Sequence, residues 1–204
     1  LFTALNNSWC PFFFEDMKQG NRENLREKAG NFLELFTVLS MGFVLLASEV
    51  YRYVYVSRDF WGSTMLIPIF VSSYYTNFLC TFPVNFEYYH KKTKVVSIIT
   101  IVSSLINVGL NYLLILRIGM AGAAVATLIS HSLQLTLHYL YVRFALGGKE
   151  YPFPLKMWVG YAAVFAAVAV ASVAADGLWL ARWGLGAAVG LWELLRIRKR
   201  KVLI

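Results

Sequence analysis

The sequence predicts an all-α fold: a polytopic transmembrane helical bundle with about six complete spans. Six long apolar stretches separated by short hydrophilic gaps are the first observation behind it. The second is the charge carried by those gaps. Taken alternately, one set holds Lys18, Arg22, Arg26 and Lys28, then Lys91, Lys92 and Lys94, then Arg143, Lys149 and Lys156, then Arg196, Arg198, Lys199, Arg200 and Lys201; the other set holds Arg52, Arg58, Arg117 and Arg182. Loops rich in Lys and Arg stay on the cytoplasmic side during insertion, so this alternation fits a chain that crosses the bilayer six times. Composition is the third: 58% hydrophobic residues and 15% charged ones, against about 25% charged in ordinary soluble domains.

The net charge of +8 does not point to nucleic acid. Basic groups at the ends of apolar spans are explained by topology and by anionic membrane lipids, so DNA or RNA binding is not expected. Cys10 and Cys80 lie inside apolar stretches and read as small buried hydrophobes rather than a disulfide or metal pair.

Residues 1–14, LFTALNNSWCPFFF, fall short of the roughly 20 needed to span the hydrocarbon, and read as the end of a truncated transmembrane helix. With Leu1 in first place and no charged leader ahead of the apolar stretch, the chain is expected to be the C-terminal part of a longer one. Residues 15–30 are polar, with Gly20 as a breaker and Asn21 as a helix cap, and are expected to form a cytoplasmic surface helix or loop. Four spans follow as one transmembrane lobe over 31–145, at 31–50, 64–86, 95–116 and 120–142. Residues 146–204 hold two more, at 156–175 and 178–195, and a basic cytoplasmic tail. Continuous apolar runs, without the period-two alternation of barrel strands, make every span a helix.

The gaps at 117–119 and 176–177 are so short that they force antiparallel hairpins. Small residues four apart, Gly119 and Ala123, Gly122 and Ala126, Gly186 and Gly190, mark where helices approach closely. Pro68 and Pro83 interrupt the second span and invite kinks, which makes it the candidate moving helix. The outer loop 51–63 carries Tyr51, Tyr53, Tyr55, Phe60 and Trp61, suited to anchoring at the interface.

The segment 74–131 resembles the C-terminal half of bacterial polysaccharide exporters, the O-antigen and capsule lipid-linked oligosaccharide flippases of the multidrug/oligosaccharidyl-lipid/polysaccharide superfamily. A Tyr-rich helix ends in Lys91-Lys92-Thr93, Asn107 and Asn111 lie near the end of the next, and Gly119, Gly122-Ala123-Ala124 and Ala126-Thr127 open the one after. Asn6, Trp9 and Pro11 match the preceding helix. Leu116-Arg117 depart from the pattern, standing where the family often has a proline. The resemblance implies that this chain is the second lobe of an exporter, with a missing first lobe across a central cavity. It also implies a bacterial cytoplasmic (inner) membrane, a substrate carried on undecaprenyl diphosphate, and association with polysaccharide assembly proteins.

Within that frame the substrate-path candidates are Tyr75, Asn77, Asn107, Asn111, His131 and Gln134. Amides can hydrogen-bond sugar hydroxyls or join helix to helix, and the latter use is the commoner. Tyr74, Tyr75 and Tyr112 can stack on sugar rings or on one another. His131 reads as a neutral imidazole bonded across helices in preference to a contact to diphosphate or a proton relay. Gln134 and His138, three and seven residues on, are expected to share its face. Glu34 and Glu49 are expected at solvated span ends, and Glu87 and His90 in a surface charge network with Lys91 and Lys92.

The sequence shows no Ser/His/Asp set, Gly-rich phosphate loop or metal-ligand spacing, so neither catalysis nor a metal or cofactor is predicted. Flippase activity is the first reading. A multidrug or small-solute cation-coupled antiporter of the same superfamily would place carboxylates in mid-helix. A membrane-embedded polysaccharide polymerase or glycosyl transferase would carry a long outer loop or paired carboxylates.

Overall fold

A backbone in lipid has no water to bond and closes its hydrogen bonds within the segment, and the long apolar runs do so as helices. The computed structural model describes residues 2–54, 63–148, 150–174 and 178–200, and among them all regular secondary structure is helical. The helices are α1 (Phe2–Gln19), α2 (Arg22–Val54), α3 (Ile67–Tyr89), α4 (Thr93–Ile118), α5 (Met120–Phe144), α6 (Leu155–Ala174) and α7 (Trp179–Arg200). Among the described residues five segments are long and apolar enough to cross a membrane: Arg22–Ala47, Ser63–Tyr89, Thr93–Ile118, Met120–Phe144 and Leu155–Ala174.

Two boundaries differ from expectation. Residues 15–30 are not a separate surface element. Gly20, at φ +69°, ends α1 with Gly20 N–H donating to Met17 O and Asn21 N–H to Asp16 O, the paired bonds of a left-handed helix stop. Asn21 Oδ1 then accepts from Asn24 N–H at 3.3 Å and caps α2, which runs unbroken through the predicted edge at residue 30. Its 33 residues reach about 50 Å, so its first turns extend past the hydrocarbon.

The second difference is the sixth span, which is helical but not apolar enough to qualify by composition. Between Arg182 and Glu193 its uncharged stretch is confined to residues 183–192, about 15 Å of helix against about 30 Å of hydrocarbon. The hairpin turn predicted at 176–177 and most of the aromatic loop lie outside the described residues.

Side-chain pairings give the helix directions. Asn107 meets Ser130 and Thr100 meets Gln134, so α4 and α5 are antiparallel. Stacking of Tyr75 on Phe165 and of Phe82 near Trp158 makes α3 and α6 antiparallel. Ser73 with His131 and Glu87 with His138 make α3 and α5 parallel. The three basic connections therefore converge at one end of the bundle. Arg26 Nε donates to Pro152 O at 2.6 Å and Tyr89 OH to Met17 O at 3.3 Å across it.

The core is aromatic and lies among α1, α2, α3 and α6. Phe36 stacks on Phe78 with ring centroids 3.8 Å apart, Tyr75 on Phe165 at 4.3 Å and Trp9 on Phe32 at 5.2 Å. By contrast α4 buries just Val96 and Ser103 and presents the rest of its apolar surface outward, as a lipid-facing helix does. Pro68 sits in the first turn of α3, where its missing N–H costs nothing; Pro83 is the proline inside that helix.

Candidate functional site

In α3, Ser73, Cys80 and Glu87 recur at heptad spacing and fall on one stripe, and α5 turns His131 and His138 toward it. His138 Nδ1 lies 2.9 Å from Glu87 Oε1 and 3.0 Å from Oε2. Both side chains are 0% exposed. Glu87 is thus no member of a surface network: the helix period carries it inward while Lys91 and Lys92 stay outside. Its main-chain oxygen accepts from Lys92 N–H at 2.9 Å, in a helix stop that holds Lys91 at φ +58°. Residues bound into a cap and an ion pair at once have little freedom to turn away.

Removing one partner of a buried ion pair strands the other and costs about 3–5 kcal/mol, whereas an apolar pair of similar volume often costs nothing. The Glu87–His138 pair is therefore better explained by use than by stability. Around it, the 145–154 connection inserts Tyr151 and Phe153. Tyr151 packs edge-on against Phe86 at 5.1 Å and Trp158 at 5.8 Å, and its hydroxyl has no hydrogen-bond partner among the described residues. Burial pushes the Tyr151 phenol well above its ordinary range, with nearby Cys80, Tyr139 and Glu87 adding to the effect.

A second polar feature runs along α4 and α5. Asn111 Nδ2 donates to Asn107 O at 2.9 Å and Oδ1 at 3.0 Å, Asn107 Nδ2 to Ser130 Oγ at 3.2 Å, and Gln134 Nε2 to Thr100 Oγ1 at 3.5 Å. His131 turns instead to α3, where its Nδ1 is 2.9 Å from Ser73 O and 3.1 Å from Ser73 Oγ. His131, Gln134 and His138 therefore do not share a face, because the two histidines bond α3 and the glutamine bonds α4. Asn107, Asn111 and Gln134 form one seam.

Tyr75 lies apart from it, with its hydroxyl 2.9 Å from Thr37 Oγ1 and its ring in the α2–α3–α6 core. Asn77 is half-buried on α3. Asn85, also on α3, is buried and accepts from Cys10 Sγ at 3.5 Å. Tyr74 and Tyr112 are exposed.

Three further charged residues sit deeper than their positions suggest. Glu34 is 4% exposed and accepts from Tyr161 OH at 3.4 Å, so it is not a solvated span end. Arg182 is 1% exposed and donates from Nη2 to Val44 O at 3.3 Å, a buried cation in the first turn of α7. Asp16 bonds Lys28 Nζ at 2.9 Å and Asn24 Nδ2 at 3.0 Å, bracing the α1–α2 elbow. The side chain of Glu49 lies outside the described residues. Among the described residues no three His, Cys, Asp or Glu side chains converge on a metal position.

Over 107 residues the chain is similar, at 29% identity, to a Haemophilus influenzae protein described as an uncharacterized membrane protein; the match covers 52% of this chain and 26% of that protein. This chain is a polytopic membrane protein. It spans about a quarter of the length of that relative. No family model and no solved structure matches it.

Proposed function

We propose that the chain forms part of a membrane transporter of the oligosaccharide-exporter type, a flippase. It moves a lipid-linked oligosaccharide from the cytoplasmic to the outer leaflet of a bacterial inner membrane. The α4–α5 seam carries this reading. Amides facing hydrocarbon are costly, and Asn107 and Asn111 sit half-exposed on a helix with few buried side chains. Such a line of donors and acceptors suits sugar hydroxyls in a polar cavity, with the lipid tail left in the bilayer. The order of motifs along 74–131 supports the same substrate class. No covalent step is needed: rocking of two lobes alternates access.

Buried Glu87 favours a second reading, the cation-coupled antiporter. Its position at the basic end of α3, rather than midway along it, keeps that reading second.

The test is surface polymer in cells lacking the full-length gene and any redundant exporter. Loss of polymer, restored by the wild-type gene and not by Asn107→Ala/Asn111→Ala at equal abundance, supports export. Normal polymer in the deletion strain rejects it.

A further inference from the structure

We propose that Glu87 and His138 form a proton-binding site at the basic end of the bundle, loaded and emptied as α3 moves against α5. This rests on the transport reading for its purpose, though not for its chemistry.

An ionised carboxylate can only accept, and in that state of Glu87 the short contact has His138 Nδ1 as the donor. Nε2 then carries either a lone pair or a second proton, and it is buried with no partner among the described residues. With the lone pair, the buried pair bears one net negative charge. One proton added at Nε2 gives an imidazolium beside a carboxylate, with no net charge. The two opposite charges attract each other as long as the two helices stay together. Separating them admits water and lets the proton leave from the same nitrogen, so one proton is bound and one released per cycle.

Among the described residues no third charged side chain bonds the pair. Cys80 on α3, Tyr139 on α5 and Tyr151 in the 145–154 connection are the titratable neighbours, and the facing residue of α6 is Trp158. Lys91, Lys92, Arg143 and Lys156 are exposed. His90 turns to Phe86 and Tyr89, with ring centroids 4.5 and 5.4 Å away. Glu87 and His138 therefore answer chiefly to each other.

The experiment records infrared difference spectra of the full-length protein in lipid films between about pH 5 and 8, where imidazole titrates. Above the signals of the other histidines, His90 and His131 among them, one imidazole and one carboxylate band should change in the wild type and be missing from Glu87→Gln and His138→Gln. The double variant Glu87→Gln/His138→Asn keeps a neutral hydrogen-bonded pair and guards against misfolding of the single ones. It should be as heat-stable as the wild type and lack the bands. Bands that persist in the double variant, or their absence from the wild type, overturn the proposal.

In proteoliposomes loaded with lipid-linked oligosaccharide, a one-unit pH difference should speed wild-type flipping by up to about tenfold, the ratio of proton activities, and leave the double variant unaffected. A wild type that flips nothing rejects the transport reading while the spectra still decide the proton site. Flipping indifferent to the gradient rejects the coupling.

Discussion

A β-carbon on Gly122 would lie 2.4 Å from the carbonyl carbon and oxygen of Leu114, so α4 and α5 meet backbone to backbone just past their turn. Neither atom belongs to a side chain that can swing aside. Gly122→Ala should therefore force the hairpin open and cost about 1–3 kcal/mol, as overpacking does. Gly190→Ala, with nothing within 4 Å, should be neutral or stabilise by up to about 1 kcal/mol through helix propensity. Thermal unfolding of the two variants in one detergent checks the contrast. Equal stability would mean that α4 and α5 are not in contact here.

Tyr75 and Thr37 give a second prediction. Thr37 Oγ1 also donates to Leu33 O at 2.6 Å, so loss of the tyrosine hydroxyl leaves no orphan. Tyr75→Phe should cost about 0.5–1.5 kcal/mol and leave transport unchanged, while Tyr75→Ala should cost about 3–5 kcal/mol through the cavity left against Phe36 and Phe165. A Tyr75→Phe protein that keeps its stability and loses transport would return this residue to the substrate path.

The helices were legible because lipid imposes them: long apolar runs and alternating basic gaps leave few other solutions. Asn107 and Asn111 were legible as a pair because four residues is one helical turn. The partner of Glu87 was not, since His138 lies 51 residues away and the pairing depends on how α3 and α5 rotate against each other. Heptad spacing of Ser73, Cys80 and Glu87, opposite His131 and His138, was the available signal. Adjacency to Lys91 and Lys92 hid it. Arg182 was obscured likewise, because a cation four residues into a helix reads as an interfacial end until Val44 is seen to accept from it.

Tyr151 sets an alkaline limit on stability. Its phenol ionises at about 10 when unfolded and well above that when folded, because burial disfavours the phenolate. The folded state holds the proton more tightly, so this contribution is complete below about pH 10. It falls by about 1.4 kcal/mol per unit as the pH rises toward the folded value. Tyr151→Phe should remove that slope with little change at pH 7. Unfolding midpoints of both proteins from pH 8 to 11 test it, and parallel curves would show that the phenol reaches water.

The placement of α7 yields the last prediction. Its uncharged stretch is too short to cross alone, yet Arg182 binds the Val44 carbonyl, and a β-carbon at Gly186 would lie 3.4 Å from Leu46 Cδ2. Those contacts hold its start against the half of α2 far from the basic end, and the preference of Lys and Arg for the cytoplasmic side then predicts Arg196, Arg198 and Arg200 at the basic end. α2 shields the buried cation that would otherwise bar insertion. In a background with Cys10 and Cys80 replaced by Ala, cysteines at Lys92 and Arg200 should both resist a membrane-impermeant maleimide in intact cells and react in inverted vesicles. A cysteine at Arg58 should do the opposite. Labelling of Arg200→Cys together with Arg58→Cys would place α7 along the far surface and reduce the bundle to its five apolar spans.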